Sequence, residues 1–392
     1  MEEIVILSAV RTPIGAFQGG LAPLAAPRLG ARALSVAMEN AGVDPSDVEQ
    51  VNMGCVLPAG QGQAPARQAA LAAGCPNSTG ALTLNKVCGS GMKALMIAAN
   101  DLRCGDFELV AAGGMENMSQ APYLATGVRD GLRLGHGKLI DSMIHDGLWD
   151  PYNDIHMGNC AELCATEYNF SREAQDAFAL ESYRRARAAV EGGAFDAEVV
   201  TVEIPGRKGS TVIDRDEEPF RVDLDRMPSL RPAFKKDGTI TAANASKIND
   251  GAAALVMSTA SYAEKLGRKP LARLVAHSSA AQAPEWFTTA PVEATRQLLA
   301  RAGLTAQDID LWEVNEAFAA VAMAYCQDLG VSPEAINVNG GAVALGHPIG
   351  ASGARIVVTL LHAMAARNAR RGVAAICLGG GEATAVLLER EG

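Results

Sequence analysis

Four short stretches of the chain hold residue types suited to nucleophilic chemistry at a thiol. Cys88 lies in Asn85-Lys86-Val87-Cys88-Gly89-Ser90-Gly91. Met92, Leu95, Met96, Ala99 and Leu102 follow at helical spacing, which predicts a helix over Gly89 to Arg103 with Cys88 at its N-terminus. There the helix dipole and free N–H groups favour a thiolate. The competing reading is a cysteine packed as a small hydrophobe in a Gly-rich turn. His347 lies in Gly346-His347-Pro348-Ile349-Gly350. A histidine between Gly and Pro sits on a constrained loop, and imidazole is the natural base for a thiol near neutral pH; it could equally tie the turn down by hydrogen bonds. Cys377 ends a predicted strand, Val373 to Ile376, and precedes Gly379-Gly380-Gly381. Those glycines could turn backbone N–H groups toward a developing oxyanion, although a plain core cysteine fits the same pattern. Asn315 closes a predicted strand from Ile309 to Val314, where its amide could hold a water or carbonyl, or cap a helix.

The elements that must position these residues come in two copies. Ala41-Gly42-Val43-Asp44 parallels Ala302-Gly303-Leu304-Thr305 at an offset of 261 residues. Cys88-Gly89-Ser90-Gly91 parallels Gly350-Ala351-Ser352-Gly353 at 262, and Leu109 to Glu116 parallels Ala375 to Glu382 at 266. The last match aligns Cys377 with Ala111. Three blocks in one order imply a duplicated α/β domain, its strands alternating with helices in a mostly parallel sheet. Residues 1–118 form the N-terminal half and 250–392 the C-terminal half. Residues 119–249, richer in charge and carrying Pro205, Pro219, Pro228 and Pro232, read as an insertion of the kind that carries ligand contacts.

Composition narrows the function. The chain has 392 residues, 48% hydrophobic and 20% charged, with a formal net charge of −10. That charge argues against nucleic acid as a partner, although Thr201 to Lys247 is locally balanced, with nine Lys/Arg against eight Asp/Glu. No apolar run approaches membrane length in the sequence reading, and the N-terminus reads as a strand rather than a leader, so the expectation is a cytoplasmic protein off the membrane. Eight cysteines show no metal-ligand spacing, and Cys160 and Cys164, one helical turn apart, lack partners for zinc.

Taken together, the four motifs resemble the thiolase family, over essentially the whole chain. The resemblance includes Ser8-Ala9-Val10-Arg11-Thr12-Pro13, His156-Met157-Gly158, Asn244-Ala245-Ser246, Asn315 to Ala319, Gly346-His347-Pro348 and Cys377 to Gly381. It implies a five-layered αβαβα fold of two thiolase-type halves with an inserted loop domain that covers coenzyme A. It also implies roles: Cys88 the acylated nucleophile, His347 its activator, and Cys377 the acid/base at the α-carbon of the second acyl-CoA. Asn315 would position an oxyanion-hole water beside His347, and the N–H groups of Cys88 and Gly379 would form a second oxyanion hole. Leu148, His156, Ala242, Ser246 and Phe318 would follow the pantetheine arm, and Arg221 would lie near the adenine nucleotide. The implied reaction is the reversible condensation of two acetyl-CoA to acetoacetyl-CoA and CoA. The alternative is thiolysis of 3-oxoacyl-CoA over a broad range of chain lengths. Neither a metal nor a separate cofactor is expected, and family members are homotetramers or homodimers.

Two departures stand out. Lys247 occupies a position where the related motif usually has Gly, and Ala283-Pro284-Glu285-Trp286-Phe287 replaces a Met-Gly-containing form. Trp286 and Phe287 next to the acyl pocket favour short chains. Two rivals are weaker. A ketoacyl-carrier-protein synthase would pair its cysteine with two histidines and lack Cys377. A non-catalytic relative would have lost Cys88, His347 or Cys377.

Overall fold

The computed structural model describes residues 2–207 and 209–391. The first half runs β1 (Ile4–Arg11), α1 (Ala26–Ala41), β2 (Gln50–Gly54), α2 (Pro65–Ala72), β3 (Gly80–Leu84), α3 (Ser90–Cys104) and β4 (Leu109–Asn117). The insertion contributes α4 (Met157–Glu167) and α5 (Arg172–Glu191), and β5 (Asn249–Thr259) follows. The second half runs β6 (Ala272–Ala281), α6 (Ala290–Ala302), β7 (Leu311–Val314), α7 (Ala319–Leu329), α8 (Ile349–Ala366), β8 (Arg371–Leu378) and β9 (Glu382–Glu389).

The duplication is visible strand by strand. In the first half the order is β3-β2-β4-β5-β1, with the β3–β2 and β2–β4 pairings parallel and the other two antiparallel. The second half repeats it as β7-β8-β9-β6, with a parallel bridge from Trp312 to Ile336 standing where β3 would be. β1 and β6 join the halves. Each half is therefore mixed rather than mostly parallel. The cause in the second half is the three-residue connection Gly379 to Gly381, too short for a parallel crossover; Gly380 and Gly381 adopt φ of +88° and +78°, which glycine alone tolerates well.

Two expectations need correction. β5 pairs with β1 and β4, so it completes the first sheet, and the C-terminal half does not begin at residue 250. The cause is the insertion itself, which separates β4 from its hairpin partner. The offset of the last repeat block also changes. Gln50 pairs with Val110 and Leu311 with Gly372, so β4 and β8 correspond at 262 residues, and the counterpart of Cys377 is Met115, not Ala111. Similar strings of small residues in the two strands allowed the slip.

Burial follows five layers. On the outer face of the first sheet, Leu29, Leu34 and Met38 of α1 pack on Val51, Met53 and Ala111. On the outer face of the second, Leu298 and Tyr325 pack on Val314 and Ala375. Between the sheets, Met92, Leu95 and Met96 of α3 and Ile356, Val357 and Leu360 of α8 meet Ile6, Leu255, Ile376 and Val386. Contrary to the sequence reading, α8 has membrane-like length and a mean hydropathy of 1.4, but 83% of it is buried within the protein. It is apolar all round because neighbours surround it. Its one buried cation, Arg355, pairs with Glu313 at 2.9 Å.

The crossing of α3 and α8 is made by glycine. A Cβ on Gly91 would lie 2.7 Å from the Ala354 nitrogen, and one on Gly353 would lie 2.5 Å from the Met92 nitrogen. Neither obstacle is a flexible side chain. Gly353→Ala should therefore lower stability by about 1–3 kcal/mol through overpacking, read as a lower urea midpoint at unchanged slope.

Candidate active site

β3 ends at Leu84, and the chain turns through Asn85 to Gly89 into α3. Val87, immediately before the nucleophile candidate, has φ of +45°, which is strained for a β-branched residue. The turn is held by Val87 N–H donating to the Asn85 side chain at 2.9 Å and Lys86 N–H donating to Ser90 Oγ at 2.8 Å. It leaves Cys88 at the mouth of α3, partly exposed to a cavity of about 240 Å³. Cys88, Gly379, His347, Leu148, His156, Ser246 and Phe318 all line that cavity.

The backbone N–H groups of Gly379 and of Cys88 itself act on the Cys88 sulfur and lower its pKa, but burial outweighs them and pushes the thiol up to about 12. This overturns the expectation of a thiolate at rest: enclosure disfavours the anion more than the helix terminus favours it. His347 is held down to about 3 by burial and by the Arg355 charge, so it is neutral. The Ser352 hydroxyl donates to Pro348 O at 2.9 Å and so accepts from His347 Nδ1 at 2.6 Å. That places the imidazole proton on Nδ1 and leaves Nε2 as the acceptor. The resting pair is thus a neutral thiol and a neutral base.

Asn315 Nδ2 sits 3.5 Å from His347 Nε2, and Asn315 Oδ1 is buried without a partner among the described residues. The adjacent helix α7 is capped at Phe318 without a side-chain bond, so Asn315 is not a cap. Cys377 is fully buried behind the cavity. Its thiol is raised well above its ordinary value, first by burial and then by the Cys88 charge. Charge on one thiol opposes charge on the other.

The insertion roofs the site. His156 Nδ1 accepts the Gly158 N–H at 3.0 Å, and its ring stacks on Phe234 at 4.8 Å between centroids. Burial lowers its pKa, which favours the neutral ring. Ala242 is exposed and outside the cavity, and Arg221 lines a separate surface cleft with Val212 to Glu217 and Phe220. Phe287 lines the cavity, buried and edge-on to Phe318 at 6.4 Å, whereas Trp286 does not line it.

Several supporting residues escaped the sequence reading. Asn249 accepts the His347 N–H at 2.9 Å and donates to Gly15 O at 3.0 Å. Glu116 accepts N–H bonds from Val56, Leu57 and Gly350 at 2.9, 3.2 and 2.9 Å, joining the ends of β2 and β4 to the start of α8. Burial raises its pKa to about 7. Phe234 lines the cavity from a loop whose approach no local pattern announces. No group of three or more His, Cys, Asp or Glu able to hold a metal occurs among the described residues.

A thiol at the mouth of a helix, a tautomer-fixed imidazole and the N–H groups of Cys88 and Gly379 around one apolar cavity define a cysteine-based acyl-transfer site. Residues 4–261 match the thiolase N-terminal domain and 268–390 the thiolase C-terminal domain, so the chain belongs to the thiolase family and is an acyltransferase. It is 53% identical to an acetyl-CoA acetyltransferase of Cupriavidus necator, over 100% of both chains. It is 50% identical to a mitochondrial acetyl-CoA acetyltransferase of Bos taurus, over 100% of this chain and 92% of that one. The Acat5 thiolase of Ascaris suum, solved in complex with coenzyme A, superposes with a TM-score of 0.95 at 44% identity over 100% of both chains.

Because the resting pair is neutral, alkylation of Cys88 by iodoacetamide should rise steadily above pH 8 without a plateau near the ordinary thiol pKa of about 8.5. His347→Ala should slow it by roughly tenfold at pH 8 through loss of the base. Peptide mass spectrometry of the alkylated Cys88 peptide measures both.

Proposed function

We propose that this enzyme catalyses the reversible condensation of two acetyl-CoA to acetoacetyl-CoA and CoA through an acetyl group on Cys88. The observation that carries the reading is the cavity shared by Cys88, His347 and Gly379, with Cys377 directly behind it. Full-length relatives named acetyl-CoA acetyltransferase support the same substrate.

His347 Nε2 takes the Cys88 proton as the sulfur attacks the acetyl carbonyl. The oxyanion that forms is received by the N–H groups of Cys88 and Gly379. The thioester bond to CoA breaks, and the imidazolium returns its proton to the departing CoA sulfur. An acetylated Cys88 can no longer carry charge, so its opposition to charge on Cys377 is gone. The Cys377 thiol passes its proton to His347 Nε2, and the resulting thiolate takes a proton from the α-carbon of the second acetyl-CoA, whose enolate oxygen is held by the Asn315 amide and the His347 imidazolium. The enolate carbon bonds to the acetyl carbon, Cys88 leaves as a thiolate, and the proton on His347 passes to it, so both thiols and the imidazole return to their resting neutral forms. Thiolysis is the reverse. CoA is a substrate, and no further cofactor enters. Leu148, His156, Ser246 and Phe318 would grip the pantetheine arm, with Ala242 and Arg221 farther out along the nucleotide. Exposed Tyr123, Leu134 and Leu139 support a homotetramer or homodimer, which light scattering would test.

Incubation with acetyl-CoA should add one acetyl group to the peptide holding Cys88. Acetylation at Cys377 alone, or at neither, would overturn the assignment. Cys377→Ala should still be acetylated at Cys88 but exchange the α-protons of acetyl-CoA at least about a hundredfold more slowly, the scale of a lost acid/base group.

Chain length is set here by Phe287, whose ring fills the cavity wall. A longer acyl tail would gain nothing from methylenes it could not bury and would press on the buried Phe287 ring, at a cost on the order of 1–3 kcal/mol. Acetoacetyl-CoA should therefore be cleaved with about tenfold higher kcat/KM than 3-oxohexanoyl-CoA. Equal values from four to ten carbons would instead mark a broad-range thiolase of fatty-acid breakdown.

A further inference from the structure

Lys247, one of the two departures noted in the sequence, lies in the wall of this cavity, and its surroundings are specific. It lies between Ser246 and Ile248, and all three line the cavity. Its Nζ donates to Ala245 O at 2.8 Å and to Val343 O at 3.3 Å, and sits 5.6 Å from the centre of the buried Tyr183 ring. Val343 belongs to the single turn Ala342–Leu345, which runs directly into Gly346 and His347. The Val343 N–H donates to the buried Glu316 carboxylate at 3.2 Å, so that turn is anchored from its other side.

Burial disfavours a charged amine, and no carboxylate lies within ion-pair distance of Nζ among the described residues. Glu218 acts on the ammonium from the turn Glu218–Phe220, with Arg221 and Glu217 acting in turn on Glu218. Tyr183 faces it from α5, itself under the influence of Arg187 and Glu316. The direct partners are two carbonyls on separate segments. We propose that Lys247 is a positioning residue: its ammonium staples the wall Ala245 to Ile248 onto the turn that carries His347, and thereby sets how tightly the acyl-CoA arm is held beside the base. This rests on the acetyl-transfer reading for its substrate. The staple itself is a matter of two backbone segments.

Burial lowers the Lys247 pKa to about 8, so the ammonium is present below that pH and is lost as pH rises through it. The KM of the parent enzyme for acetoacetyl-CoA should then rise between pH 7 and 9. Lys247→Met should show a KM about fivefold higher at pH 7, the scale of one net hydrogen bond, with kcat within about twofold and KM flat to pH 9. Lys247→Arg should keep a low KM at both pH values. The same rise should appear with S-acetoacetyl-pantetheine, which lacks the nucleotide. A rise seen only with the CoA thioester would place the charge on the nucleotide phosphates and overturn the proposal, as would unchanged KM in Lys247→Met. Amide exchange reads the staple without turnover. In Lys247→Met, both the Ala245 to Ile248 and the Val343 to Gly346 segments should exchange faster than in the parent, and unchanged exchange in either would also overturn it. A parent chain inactive on acetoacetyl-CoA would defeat the acetyl-transfer reading, and exchange would still decide the staple.

Discussion

The site depends on one steric fact: the backbones of α3 and α8 touch near their N-termini. Gly91 and Gly353 face each other there, and Gly54 and Gly114 bring two strand ends to the same place, where added Cβ atoms would lie 2.6 Å from the Ser90 carbonyl carbon and 2.1 Å from the Gly350 oxygen. Side chains at any of these positions would push the helices apart. Because Cys88 immediately precedes α3 and His347 immediately precedes α8, the distance between the helix starts governs the meeting of nucleophile and base. The five layers exist to hold that crossing, with apolar residues of both helices filling the space between the sheets.

The electrostatics follow from the same enclosure. Burial around an apolar cavity raises the thiols and lowers the imidazole, so the enzyme rests uncharged where it reacts. Charge then develops only where donors await it, at the Cys88 and Gly379 N–H groups and at the Asn315 amide beside His347. Buried charges are confined to a surrounding shell. Glu116 and Glu316 bind backbone N–H groups, and Arg11 pairs with Glu198 and Asp216 at 2.6 and 2.7 Å to fasten the insertion to β1. Each uses its polar atoms to hold a loop or a segment in place.

Much of this was legible from residue types. The helix after Cys88, the constrained loop around His347 and the glycine turn after Cys377 are local patterns, and the structure places them as expected. The duplication was legible because loops and glycines repeat at a near-constant offset. What escaped is set by long-range pairing. Nothing near Asn249 announces that it will hold a histidine 98 residues away. The slip from 262 to 266 in the last repeat block came from small residues that fit either register, and only strand pairing resolves it. The neutral state of Cys88 depends on how much protein covers it, which local motif chemistry does not report.

The insertion between β4 and β5 faces, in the other copy, a turn of three residues between β8 and β9. A protein made of two like halves begins with two potential centres related by an approximate twofold axis. Here the roof grows from one copy only, the reactive thiol stands in one copy, and Gly350 occupies the equivalent place in the other. Symmetry supplies the paired helix starts, and its breaking decides that a single centre forms. Shortening the insertion would make the two halves more alike and would uncover the one centre that now has a roof.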